Sequence, residues 1–163
     1  MRRARDLIGL PVLDLKSGNA IGWIQDVVFD STAQRVSGLL LENGHIFRTG
    51  KGLPRSMVAA VGKDALTVKD NVVQDIKGIK WTEKVGNQIF TQGGEAKGTI
   101  QDVFLDDSAE SIVGFEVSDG LFSDLIQGRG AILQENVMID GKDVLIVEDH
   151  ISPWDHREGG SLS

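Results

Sequence analysis

One eleven-residue stretch is written twice. Residues 20–30 read AIGWIQDVVFD, and seventy-six positions on, residues 96–106 read AKGTIQDVFLD, with Ala, Gly, Ile-Gln-Asp-Val and a closing Asp at matching places. Self-similarity of this kind constrains a chain more than any single motif, because both copies have to form the same unit. Within 163 residues the duplication leaves roughly 75 to 80 residues per copy, enough for only a modest core in each. The expected organisation is therefore a first repeat over 1–76, a second over 77–155 and a flexible tail over 156–163, with the two repeats leaning on each other.

Comparing the copies assigns faces. Ile21 and Trp23 correspond to Lys97 and Thr99, so these positions should point outward, which leaves Gly22/Gly98 and Ile24/Ile100 inside. Beyond Gln25-Asp26 the apolar positions move to Val27/Val103 and Phe29/Leu105, out of phase with Ile24/Ile100. A period of two that slips by one residue predicts a β-bulge near Gln25-Asp26 and Gln101-Asp102. Asp30 and Asp106 should open the loops that follow.

The same order of short apolar strands and turn signals runs through both halves. In the first, strands are expected over 11–15, 21–30, 36–42, 46–48, 57–61 and 65–68. In the second they are expected over 88–91, 97–106, 112–118, 137–139 and 144–147. Asn43-Gly44 and Asp119-Gly120 stand at equivalent hairpin positions and favour type I′ turns. Gly50-Lys51-Gly52 and Gly128-Arg129-Gly130 also match each other and read as turns. About six strands per half suit a small closed sheet, which leaves no open edges. The joint over 70–80 suggests a helical turn around 72–76.

Composition narrows the function. With no cysteine, disulfides, thiolate metal sites and a Cys nucleophile are excluded. The basic start, Met1-Arg2-Arg3-Ala4-Arg5, is followed by no signal-peptide apolar core, and no stretch has the ~20 apolar residues of a membrane helix, so a cytoplasmic protein is expected. The net charge of -7 is unevenly shared, near +2 over 1–76 and -9 over 77–163. An acidic chain is poorly suited to non-specific nucleic-acid binding, although its first half could meet an anion.

The residues that carry these patterns resemble the PRC-barrel family. Its repeat is similar to a leading apolar-Gly (Ile8-Gly9; Val85-Gly86), the doubled strand ending in Asp, a Gly-bearing third strand (36–41; 112–117) and a closing Gly-x-Asp-apolar strand (62–68; 141–147). The resemblance covers nearly the whole chain and implies an all-β protein of two tandem six-stranded barrels. The family's members include the cytoplasmic part of a photosynthetic reaction-centre subunit and the C-terminal domain of a ribosome maturation factor. The resemblance implies a binding or assembly module without shared catalytic residues, and neither of those two specific roles transfers to this chain.

Candidate sites follow from the remaining residues. Asp26 and Asp102 belong to different barrels, so bulge or turn hydrogen bonding is expected of them in place of paired acid/base chemistry. His45 sits beside a hairpin tip; His150, Asp155 and His156 match no metal-ligand spacing. Arg48, Lys51 and Arg55 could contact an anion around the Gly-Lys-Gly stretch, which is not a P-loop. Ile21 and Trp23, if outward, form an apolar patch that the other barrel, a second chain or a protein partner should cover. The reading is a non-catalytic interaction or scaffold module with no cofactor and no bound metal. The alternatives are a ribosome or RNA-processing factor using Arg48, Lys51 and Arg55, and a small-ligand or metal-dependent enzyme using the His150 to His156 segment.

Overall fold

The computed structural model describes residues 1–32, 34–42, 51–118 and 129–149, and the doubled stretch forms the longest strand of each copy. In the first copy β1 (Arg2–Arg3) and a 3-10 turn (Ala4–Leu7) lead to β2 (Pro11–Asp14), β3 (Ala20–Asp30), β4 (Arg35–Glu42) and β5 (Lys51–Pro54). A second 3-10 turn (Arg55–Met57) precedes β6 (Val58–Val61) and β7 (Leu66–Val68). The joint holds β8 (Gln74–Asp75), β9 (Ile79–Lys80) and a one-turn helix, α1 (Trp81–Lys84). The second copy continues with β10 (Gln88–Thr91), β11 (Ala96–Leu105), β12 (Ile112–Ser118), β13 (Arg129–Leu133), a 3-10 turn (Gln134–Asn136), β14 (Val137–Asp140) and β15 (Val144–Val147).

Six principal strands in each copy form a curled sheet, in the same spatial order: β6-β7-β2-β3-β4-β5 and β14-β15-β10-β11-β12-β13. In both, the first and last principal strands run parallel, with Val12 opposite Leu66 and Ile89 opposite Leu145. The all-β class and the tandem six-stranded arrangement are thus as the repeat implies.

Bulges bend the sheets, and two of those in the first sheet have their extra residue in the doubled stretch. Ile24 pairs with Leu41 and Asp26 with Leu40, so Gln25 is the extra residue and the expected bulge is present in β3. It brings the buried positions from Ile24 round to Val27 and Phe29. It also turns Asp26 inward, where its Oδ1 accepts the Val27 N–H at 2.9 Å. Asp102, wholly buried, accepts the Val103 N–H at 2.8 Å in the same way. The second bulge was not foreseen: Ile21 is the extra residue between Val12↔Gly22 and Leu13↔Ala20, and Lys97 takes that place between Ile89↔Gly98 and Phe90↔Ala96. Gly22 and Gly98 follow it at φ of 142° and 118°, a backbone region that side chains disfavour.

The third-strand glycines have a different reason. A Cβ on Gly38 would stand 2.5 Å from the Leu53 carbonyl oxygen, and one on Gly114 would stand 2.6 Å from that of Ile132. These glycines let β4 and β5, and β12 and β13, approach more closely than any side chain allows.

Several expectations need correction. Lys51-Gly52 and Arg129-Gly130 are not turns; they begin β5 and β13, and a Cβ on Gly52 would lie 2.2 Å from the Leu39 carbonyl oxygen. The glycine there serves close strand packing. No helical turn forms over 72–76, because Val72 and Val73 are exposed and give a helix no face to bury, and Gln74 and Asp75 pair with Gly52 and Lys51. Asp30 stays in β3 opposite Arg35, whereas Asp106 does open a loop, its Oδ1 accepting the Glu110 N–H at 2.8 Å. The hairpin tips at 43–44 and 119–120 and the strand at 46–48 lie outside the described residues.

The chain divides into two compact units: residues 1–82 with 105–111, and residues 83–104 with 112 onward. The first packs Val12, Ile24, Val27, Phe29, Leu39, Leu53, Leu66 and Val68 into its core; the second packs Ile89, Ile100, Val103, Phe115, Val117, Ile132, Leu145 and Val147. The loop 105–111 comes from the second copy in sequence but belongs to the first unit. Arg55 holds it there, donating to the carbonyl oxygens of Ser108 at 2.6 Å and Ala109 at 3.0 Å, while the Val36 N–H donates to the Glu110 carbonyl at 2.8 Å.

Gly38→Ala and Gly114→Ala should each force two strands apart and cost about 1–3 kcal/mol. Chemical denaturation of the two variants measures this, and an unfolding midpoint equal to that of the wild type would show that the strands give way freely.

Candidate functional site

The outer side of the first sheet carries more apolar surface than a strand exposed to water needs. In β2 the burial alternates, with Val12 and Asp14 inside and Pro11 and Leu13 outside. Pro11 stands opposite Trp23, and Trp23 opposite Glu42 on β4. Leu13 stands opposite Thr67, which in turn faces Ala60 on β6. Trp23 is 44% exposed and Leu13 37%, while Ile21 is half-buried at its bulge. The result is a patch of Pro11 and Leu13 on β2, Trp23 on β3 and, across Thr67, Ala60 on β6, edged by Ile21.

At the positions of Ile21 and Trp23 the second sheet is polar. Thr99 Oγ1 lies 3.4 Å from Ser118 Oγ and accepts from Gln101 Nε2 at 3.3 Å, and Lys97 Nζ lies 3.5 Å from Glu95. At the positions of Leu13, Thr67 and Ala60, however, that sheet has Phe90, Ile146 and Ile139. Ile139, 60% exposed, faces Ile146 on β15, and Ile146 faces Phe90 on β10, with Met138 exposed beside them. Reading the doubled stretch alone missed this row, since it lies on the closing strands.

The expected basic cluster is only partly visible. Arg48 lies outside the described residues and Lys51 sits in β5. Arg55 spends its guanidinium on the loop 105–111, adding a contact to Glu110 Oε1 at 3.2 Å. A pocket of about 420 Å³ beside it is lined by Arg35, Ser37, Pro54, Arg55, Glu110 and Ser111, where Glu110 offsets one of the two cations. His45, His150 and His156 lie outside the described residues; among the described residues no group of three His, Asp or Glu is placed to hold a metal ion. Asp26 is a structural acceptor, taking the Thr82 hydroxyl on Oδ2 at 2.6 Å and the Thr82 N–H on Oδ1 at 3.3 Å. No described helix is long and apolar enough to cross a membrane.

The sequence reading also missed a buried ion pair in the second barrel. Lys84, at the end of α1, is wholly buried; its Nζ meets the carboxylate of Asp140, donates to the Gly141 carbonyl at 3.1 Å and lies 5.9 Å from the centre of the Phe115 ring. The signal was available: Lys84 precedes Val85-Gly86 as Leu7 precedes Ile8-Gly9, and a lysine in place of a core leucine has to bring its own partner. The pair is a contact of the second core.

Burial pulls the Lys84 ammonium from 10.5 down to about 8. Since its folded-state value lies below the unfolded one, the unfolded chain holds the proton more readily, and stability rises with pH between about 8 and 10.5. Lys84→Leu alone leaves Asp140 buried without its cation and should cost about 3–5 kcal/mol, whereas Lys84→Leu with Asp140→Val should return stability to the wild-type level or above. Denaturation of wild type and double variant over this pH range should show the wild type gaining relative to the variant. A constant difference would remove Lys84 from the titration.

Comparison with curated proteins finds no match for this chain. The family model described as the PRC-barrel domain matches it twice, over residues 1–74 and again over residues 77–152. The order of strands, the doubled bulge and the close-packed third-strand glycines recur in each matched segment, and the chain belongs to the PRC-barrel family as a tandem pair.

Proposed function

We propose that the chain is a non-catalytic interaction module that docks a protein partner on the outer face of its first sheet, through Trp23 and Ile21 with Pro11 and Leu13. One observation carries this reading: Trp23 stands 44% exposed beside Pro11, at a position where the second copy has a hydrogen-bonded threonine. Burying a large apolar side chain contributes about 1.5–3 kcal/mol, so Trp23 and its neighbours supply enough for a specific contact when covered. Aromatic residues at the centre of a patch are also where binding energy concentrates.

Arg55, engaged with its own loop, gives less support to an RNA-binding reading.

Replacing Ile21 and Trp23 by Lys and Thr, the residues of the second copy, tests the reading. The double variant should keep the wild-type circular dichroism and unfold within about 0.5 kcal/mol of it, as surface changes do. It should lose the partner that native-level affinity purification recovers with the wild type, or the concentration-dependent mass seen in sedimentation if that partner is a second copy. A folded variant that keeps both the recovered partner and the mass sinks the proposal, and a variant that unfolds assigns the two residues to the core.

A further inference from the structure

The two barrels are entered by segments whose backbones are bonded alike. The Gly9 N–H donates to the Ile24 carbonyl at 2.8 Å, and that of Gly86 to Ile100 at 2.8 Å. The Ile24 N–H returns to Leu10 at 2.9 Å, and that of Ile100 to Asn87 at 2.9 Å. The turn is closed by Leu10 N–H to Leu7 at 3.2 Å and by Asn87 N–H to Lys84 at 3.1 Å. At the far side Gly62 donates to Ala65 at 2.9 Å, and Gly141 to Val144 at 3.0 Å. Leu7 and Lys84 therefore hold one structural position, and Val61 and Asp140, each the residue before its glycine, hold another.

Both positions change character together. The first barrel has Leu7 with Val61; the second has Lys84 with Asp140, an ion pair shut in its core. A buried pair of this kind adds little net stability over a well-packed apolar pair, so stability alone does not account for it. Specificity does. A chain that carries two near-identical barrels, at two near-identical docks, is exposed to entry segments docking in the wrong barrel or in that of another copy. The backbone bonds offer no discrimination between them.

We propose that Lys84 and Asp140 are a pairing code that assigns each entry segment to its own barrel. Lys84 in the position of Leu7 would bury an ammonium where Val61 stands in place of the Asp140 carboxylate. Leu7 in the position of Lys84 would leave the Asp140 carboxylate buried with no cation. Either exchange buries an uncompensated charge, and the correct assignment buries none.

Refolding of the full chain tests the code. Wild type, the apolar double variant (Lys84→Leu, Asp140→Val) and the reversed pair (Lys84→Asp, Asp140→Lys) are diluted from denaturant at two protein concentrations and resolved by size-exclusion chromatography with light scattering. The apolar variant, stable once folded, should yield a severalfold larger share of species above the wild-type mass, increasing with concentration. The reversed pair still distinguishes the two docks, so it should partition like the wild type even where its Tm is lower. An apolar variant that refolds with the wild-type distribution overturns the proposal. So does an apolar variant that cannot fold, since the pair would then be needed for stability itself. A partition that follows Tm across the three proteins assigns the pair to stability in the same way.

Discussion

A long strand that lines a small barrel must bring its apolar side chains round a sharp curve, and a period of two cannot do this without an extra residue. Gln25 is that residue, and its insertion into the β3–β4 ladder sets the curvature of the first sheet. The bulge frees a backbone N–H in the interior, and an aspartate one position on accepts it, at Asp26 and again at Asp102. A carboxylate in a barrel core thus has its explanation in the backbone beside it. The third-strand glycines complete the geometry: once the sheet is bent, β4 and β5 come close enough that only hydrogen fits between them.

Most of this architecture is legible in the sequence because it is written twice. The phase slip between Ile24 and Val27 locates the bulge, and Lys97 and Thr99 opposite Ile21 and Trp23 identify an outward face. The second bulge, at Ile21 and Lys97, is hidden because an extra residue next to a glycine leaves no phase change among apolar positions. The Gly-basic-Gly stretches mislead for a related reason. Glycine is read as a turn signal in sequence, yet Gly52 is small because a neighbouring strand's carbonyl presses on it.

The candidate site is less legible than the fold. Pro11 and Leu13 join Trp23 only through sheet register, and the row of Phe90, Ile139 and Ile146 joins three strands far apart in sequence. Arg55 illustrates the limit from the other side. A free arginine near glycines suggests an anion, but tertiary structure supplies its acceptors from a loop more than fifty residues away. The copies differ in character at particular positions: Ile21 and Trp23 stand where the second has Lys97 and Thr99, and Lys84 and Asp140 stand where the first has Leu7 and Val61. Duplication supplies the shared frame, and these residues depart from it.

The loop 105–111 gives the duplication a further meaning. It is encoded in the second copy and completes the first unit, where it supplies the acceptors of Arg55 and an extension to β4. Cutting the gene at the boundary of the repeat would therefore excise one copy without its full complement of partners, leaving a guanidinium and a strand end to water. Repeat and folding unit are not the same object in this protein: heredity divides the chain near residue 76, while autonomy, in the physical sense, divides it along a line that crosses the sequence three times.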